Sequence, residues 1–199
     1  MNCVANLILS LLNFGLIALL PRQFFKQGAR LTIDFWITAA PLFASPLMLM
    51  FGLLGLMPII VKSGISFHLL SILAVLFNAL SILVLGMALG SHRAPVHMFH
   101  DTSDESQPQL VTDGPYRLIR HPIYSAYLLS LLGAMCCQLQ VGTIACFFLG
   151  CFLLNRTAAA EEQRLSATAG LGEVYVEYMR HTGRFCPPLT VFQRQPRRS

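Results

Sequence analysis

The chain has 199 residues, 55% of them hydrophobic and only 12% charged, with a mean hydropathy of +0.61. A soluble domain carries about 25% charged residues, so this balance excludes a soluble enzyme and indicates an integral membrane protein. The formal net charge of +5 does not call for a nucleic-acid partner, because the basic residues sit in short loops and a tail where membrane topology accounts for them.

In chain order, the first apolar run covers residues 4–20. It has no basic segment before it, and its exit, Leu20-Pro21-Arg22, is not a small-residue cleavage site, so a retained span is expected rather than a signal peptide. Runs at 33–61 and 66–90 each reach or exceed the roughly 20 residues a bilayer requires. Pro41, Pro46 and Pro58 predict that the second is kinked or split. In the third, Gly86 and Gly90 form a GxxxG pair that suggests close helix packing, and Asn78 and His68 are expected to make interhelical hydrogen bonds. Residues 1–90 thus read as an N-terminal unit of three spans.

Residues 91–121 form a polar loop. Beyond it, apolar runs at 123–139 and 141–154 are joined at Gln138-Leu139-Gln140 without a charge, and a helical hairpin over 122–155 is expected. At about 1.5 Å per residue neither arm comfortably crosses a ~30 Å hydrocarbon core. Residues 156–199 are again polar and basic, with helices expected near 158–165 and 173–181 and a break or cap at Gly170 and Gly172. The fold expected is all-α: a polytopic membrane protein of about five transmembrane helices, including the short C-terminal hairpin, plus cytoplasmic C-terminal helices. Loop charges place the N-terminus outside and put the 91–121 loop and the C-terminal segment together on the cytoplasmic side. The six cysteines have no metal-type spacing, and four of them (Cys136, Cys137, Cys146 and Cys151) lie in apolar segments, where they read as small core residues.

Two chemically rich regions therefore share one face. The first is Gly114-Pro115-Tyr116-Arg117-Leu118-Ile119-Arg120-His121-Pro122-Ile123-Tyr124; the second holds Glu161-Glu162, Tyr175, Tyr178 and Arg184. Each residue alone has a plainer reading: a solvated helix start, an interfacial tyrosine belt, an arginine facing lipid phosphate. Together they match a ligand with an ammonium, a carboxylate, an aromatic base and a cationic centre. A glutamate suits the ammonium, an arginine the carboxylate, and tyrosine rings a sulfonium; S-adenosylmethionine is such a ligand. Gly170-Leu171-Gly172 has no preceding strand and makes no dinucleotide site.

Arg120-His121-Pro122-Ile123-Tyr124, followed by Glu161-Glu162, Tyr175-x-x-Tyr178 and Arg184-x-x-Pro187, resembles the isoprenylcysteine carboxyl methyltransferase and phospholipid methyltransferase group. The resemblance covers about residues 110–188. It implies an S-adenosylmethionine-dependent membrane methyltransferase. Arg120, His121, Pro122 and the adjoining backbone would cradle the cofactor, with Tyr116 and Tyr124 lining the pocket and Tyr175 and Tyr178 closing it. Glu161 or Glu162 would take the methionine ammonium, and Arg184 would hold its carboxylate or the acceptor, with Arg184 and His121 the candidate catalytic residues. Ala126 stands where the family often has glycine, and Leu171-Gly172 where it often has Phe-Gly; these differences bear on the acceptor more than on the cofactor. The partners implied are membrane lipids and a lipophilic or prenylated acceptor, methylated on oxygen, nitrogen or sulfur. Two other readings are kept: an NADPH-dependent reductase of similar architecture, and a haem or metal carrier built on His68, His92, His97, His100 and His121 beside Asp101, Asp104 and Glu105. No firm metal motif is present.

Overall fold

A computed structural model describes residues 3–19, 26–27, 30–31, 33–61, 63–91 and 110–188. Among the described residues the regular structure is helical apart from one short ladder and an isolated parallel bridge between Ile119 and Gly183. Helices α1 (Cys3–Leu19), α2 (Ile33–Leu53), α3 (Gly64–Ser91), α4 (Pro122–Cys137), α5 (Val141–Ser166) and α6 (Gly172–His181) are joined by a one-turn 3-10 helix at Gly114–Arg117 and by the strands β1 (Lys26–Gln27) and β2 (Arg30–Leu31). Among the described residues, three stretches are long and apolar enough to cross a membrane: Trp36–Leu53, Gly64–Ser91 and Val141–Ser166, with shorter apolar helices at Val4–Ile17 and Pro122–Cys137.

α4 is the centre of the bundle. It packs against α1, α2, α3 and α5, and Ser125, Ala126, Tyr127, Ser130, Leu131 and Ala134 are all buried along it. Ten of its sixteen residues are buried, which marks it as a helix enclosed by its neighbours. Its 16 residues span only about 24 Å, and enclosure by longer neighbours removes the need to reach across the bilayer unaided. At Gly133 a Cβ would collide with the Asn78 amide of α3, so the absence of a side chain there is what lets α3 and α4 close.

A neutral polar seam holds α1 to α3. Asn6 Nδ2 donates to the Ser71 carbonyl at 3.2 Å, and Asn13 Nδ2 donates to Asn78 Oδ1 at 3.0 Å. Both pairs have the same sequence offset of 65, so the two helices run parallel and in step. Asn78 Nδ2 also donates to Ser10 Oγ at 3.2 Å, and Ser81 Oγ donates to the Ala126 carbonyl at 2.6 Å, carrying the seam into α4.

Several expectations change. The second apolar run stops being helical after Leu53: Pro41 and Pro46 lie inside α2, whereas Pro58 falls in the link to α3. The second hairpin arm is not short. α5 continues from the apolar run through Glu161 and Glu162 to Ser166, because Ala158-Ala159-Ala160 and the residues after it favour helix as strongly as the apolar stretch before them. Its 26 residues span about 39 Å. Asn78 makes its interhelical bonds as expected, but His68 is exposed near the start of α3, beside the Phe67 ring. Gly86 and Gly90 also face outward, and a Cβ at either would meet nothing within 4 Å. Cys136, Cys137 and Cys146 are buried and unbridged, whereas Cys186 is exposed. Lys62, the histidines at 92, 97 and 100, the acidic residues beside them and the basic tail from residue 189 lie outside the described residues.

Candidate functional site

The site forms where the N-terminus of α4 meets the C-terminal part of α5. Thr38 near the start of α2 is hydrogen-bonded to Thr157 of α5 at 3.2 Å. Gly114 abuts Ser91 at the end of α3. The same end of the bundle therefore gathers the 3-10 turn, the start of α4, the end of α5 and α6. Sequence reasoning expected these two regions to meet, and they do.

Local chemistry shapes the entry. Gly114 has φ +58, a conformation that favours glycine. Pro115 and Pro122 open their helical segments, where a missing N–H costs nothing. His121 is the residue just before α4, which aims its ring back along the bundle toward α5.

After α6 the backbone runs beside the motif as a strap. Gly183 N–H donates to the Leu118 carbonyl at 3.0 Å, Arg120 N–H to Gly183 O at 2.8 Å, and His121 N–H to Arg184 O at 3.1 Å. Ser125 Oγ donates to the Phe185 carbonyl at 2.8 Å. A Cβ at Gly183 would strike the Cys186 carbonyl, so this crossing requires glycine.

Charged side chains lock the strap to α5. Glu162 is buried, its side chain 8% exposed. Its Oε1 accepts from Arg120 Nε at 2.9 Å and Arg184 Nε at 3.1 Å, and its Oε2 accepts from Arg184 Nη2 at 2.5 Å. Arg120 Nη1 also donates to the Met179 carbonyl at 3.1 Å and to the Thr182 carbonyl. Arg184 Nη1 donates to Asn155 Oδ1 at 2.6 Å. The hydrogen bond to Glu162 pushes the Arg184 guanidinium further toward its charged form.

Successive residues on a helix point about 100° apart, and Glu161 accordingly meets different surroundings. Its side chain is 38% exposed. Its Oε1 accepts from the Tyr124 hydroxyl at 2.6 Å, and its Oε2 lies 3.4 Å from His121 Nδ1. His121 Nε2 lies 3.3 Å from Glu162 Oε1, so the imidazole sits between the two carboxylates and stacks on Tyr124 with ring planes 3° apart.

Tyrosines complete the cluster. The Tyr175 and Tyr178 rings are 5.9 Å apart, and the Tyr178 hydroxyl donates to the Tyr116 carbonyl at 2.6 Å. Burial raises the phenols of Tyr116 and Tyr175, and that of Tyr178 to about 12, so all three stay neutral with their rings uncharged. An open depression of about 470 Å³ between Arg117 and the Glu177/His181 side of α6 adjoins the cluster, sharing with it only Tyr178 and Thr182.

The residues read from the sequence as cofactor-binding or catalytic (Tyr116, Arg120, His121, Pro122, Tyr124, Glu161, Glu162, Tyr175, Tyr178 and Arg184) are thus at one place, whereas His68 lies apart from them at the start of α3. Asn155, Ser125 and the strap carbonyls were not foreseen. Asn155 had a signal, since it stands where α5 turns from apolar to polar; backbone pairing of the strap has none beyond Gly183.

Residues 66–168 match the family model described as phospholipid methyltransferase. A stretch of 84 residues is 34% identical to the Cobalt-zinc-cadmium resistance protein CzcN of Cupriavidus metallidurans, covering 42% of this chain and 38% of that protein's length. No solved structure matches the chain.

Proposed function

The chain belongs to the phospholipid methyltransferase family, and from that premise we propose that it moves a methyl group from S-adenosylmethionine to a lipophilic acceptor, as in isoprenylcysteine carboxyl O-methylation. The observation that carries this reading is the pairing of a part-exposed carboxylate, Glu161, with a cluster of neutral tyrosines at the polar end of an otherwise apolar bundle.

The residues present fit that cofactor. Glu161 offers spare lone pairs to an ammonium. Arg184, with 31% of its side chain exposed and N–H groups beyond those given to Glu162 and Asn155, can take a carboxylate. Uncharged phenol rings at Tyr116, Tyr124, Tyr175 and Tyr178 suit a sulfonium by cation–π attraction. Pro122 and the backbone around His121 shape the floor. Bound there, S-adenosylmethionine would supply an electrophilic methyl group.

The protein's own part is to hold two reactants in line and keep water away, which for well-oriented groups contributes up to about 7–11 kcal/mol. His121 faces a carboxylate at each ring nitrogen, and we assign it to orienting Glu161 rather than to taking a proton from the acceptor. The acceptor would enter from the bilayer along the exposed apolar face of α5. By the positive-inside rule the site faces the cytoplasm, since α1 ends and α2 begins at this end of the bundle and Arg22, Lys26 and Arg30 lie between them in sequence.

Incubating the purified protein with methyl-labelled S-adenosylmethionine and a membrane lipid extract is the test. Label entering the organic phase, with base-labile ester, amine or thioether chemistry identifying the acceptor atom, is the expected result. Its absence across carboxylate, amine and thiol acceptors would count against methyl transfer to a lipid.

A further inference from the structure

We infer that the two adjacent glutamates have separate duties: Glu161 meets the cofactor's ammonium, whereas Glu162, together with Arg120, is a positioning residue that holds the strap and touches no ligand. This rests on the S-adenosylmethionine reading above.

Glu162 is saturated. A carboxylate has about four lone-pair sites. Two N–H groups of Arg184, one of Arg120 and the His121 ring already converge on this one. An incoming ammonium would have to displace a guanidinium from this buried carboxylate and leave that cation without its partner. Arg120 is equally committed, with Nε on Glu162 and Nη1 on the Met179 and Thr182 carbonyls. These bonds connect α5 to the last turn of α6 and to the strap, whose backbone is paired with the motif at Leu118, Arg120 and His121. Removing either side chain loosens the whole wall of the site.

Glu161 differs in each respect. It has no arginine partner among the described residues, its side chain is part-exposed, and its two contacts are a phenol donor and the edge of an imidazole. The Tyr124–His121 stack fixes its direction without neutralising it as two guanidiniums would.

The test compares two ligands. 5′-Methylthioadenosine is a neutral thioether that lacks the sulfonium charge of S-adenosylmethionine as well as its ammonium and carboxylate. S-adenosylhomocysteine, which keeps the ammonium and carboxylate without the sulfonium, is therefore carried as a control and should follow S-adenosylmethionine in each variant. All three are titrated into full-length protein in lipid nanodiscs, and hydrogen exchange of the Arg120, His121 and Gly183 amides is followed in parallel. Glu161→Gln is expected to weaken S-adenosylmethionine about tenfold or more, as loss of a charged hydrogen bond does. It should leave 5′-methylthioadenosine within about twofold and strap exchange unchanged. Glu162→Gln is expected to weaken both ligands by the same factor and to speed exchange of those amides. Arg120→Lys should do the same and serves if Glu162→Gln does not fold.

Selective loss of S-adenosylmethionine in Glu162→Gln with exchange unchanged would overturn the inference. So would equal weakening of both ligands in Glu161→Gln. Wild-type protein that binds neither ligand would overturn the cofactor reading itself, and this inference with it.

Discussion

Two of the polar networks among the described residues, one along α1 and α3 and one around Glu162, are built from different chemistry. Along α1 and α3 the partners are asparagine and serine, with no charge among them. At the other network, around Glu162, the partners are ionised and tie together segments from residue 118 to residue 184. Neutral amides can sit deep in a bundle at modest cost, whereas charges need close partners and a place near the bilayer edge. The seam therefore sets how helices align, and the ionic network sets how the site is walled. Only the second leaves a part-exposed carboxylate beside it.

The largest effect is expected from breaking the ionic network. Glu162→Gln leaves two guanidiniums without their carboxylate and should lower stability by about 3–5 kcal/mol, read by denaturation in detergent. Next is Gly183→Ala, where the added methyl meets the Cys186 carbonyl. A cost of about 1–3 kcal/mol is expected, with faster exchange of the Arg120 amide as the readout. Breaking the seam at Asn78→Leu should cost about 1 kcal/mol and leave S-adenosylmethionine affinity within about twofold, separating the two networks by function. Gly86→Leu, on an outward face with open space around it, should change stability by no more than about 0.5 kcal/mol.

The sequence made the chemistry legible because charge and aromatic rings are conspicuous against an apolar background. Arg120, His121, Glu161, Tyr178 and Arg184 could be singled out on that contrast alone, and loop charges put them on one face. What it did not reveal was who pairs with whom. Glu161 and Glu162 are chemically identical in a string, and only the 100° step along α5 separates a clamped carboxylate from an available one. The second arm of the hairpin outlasts its apolar run because apolarity ends at Leu154 while helix propensity does not. Gly86 and Gly90 carry a packing signature, yet close approaches occur at other glycines, among them Gly133 against α3 and Gly150 against Leu131 of α4.

Whether this cluster binds S-adenosylmethionine is decided by calorimetric titration of that compound into purified, folded wild-type protein, with Tyr124→Phe in parallel. The expected result is saturable one-to-one binding that weakens in Tyr124→Phe, where Glu161 loses its phenol donor. Absence of binding by folded wild-type protein would contradict the account.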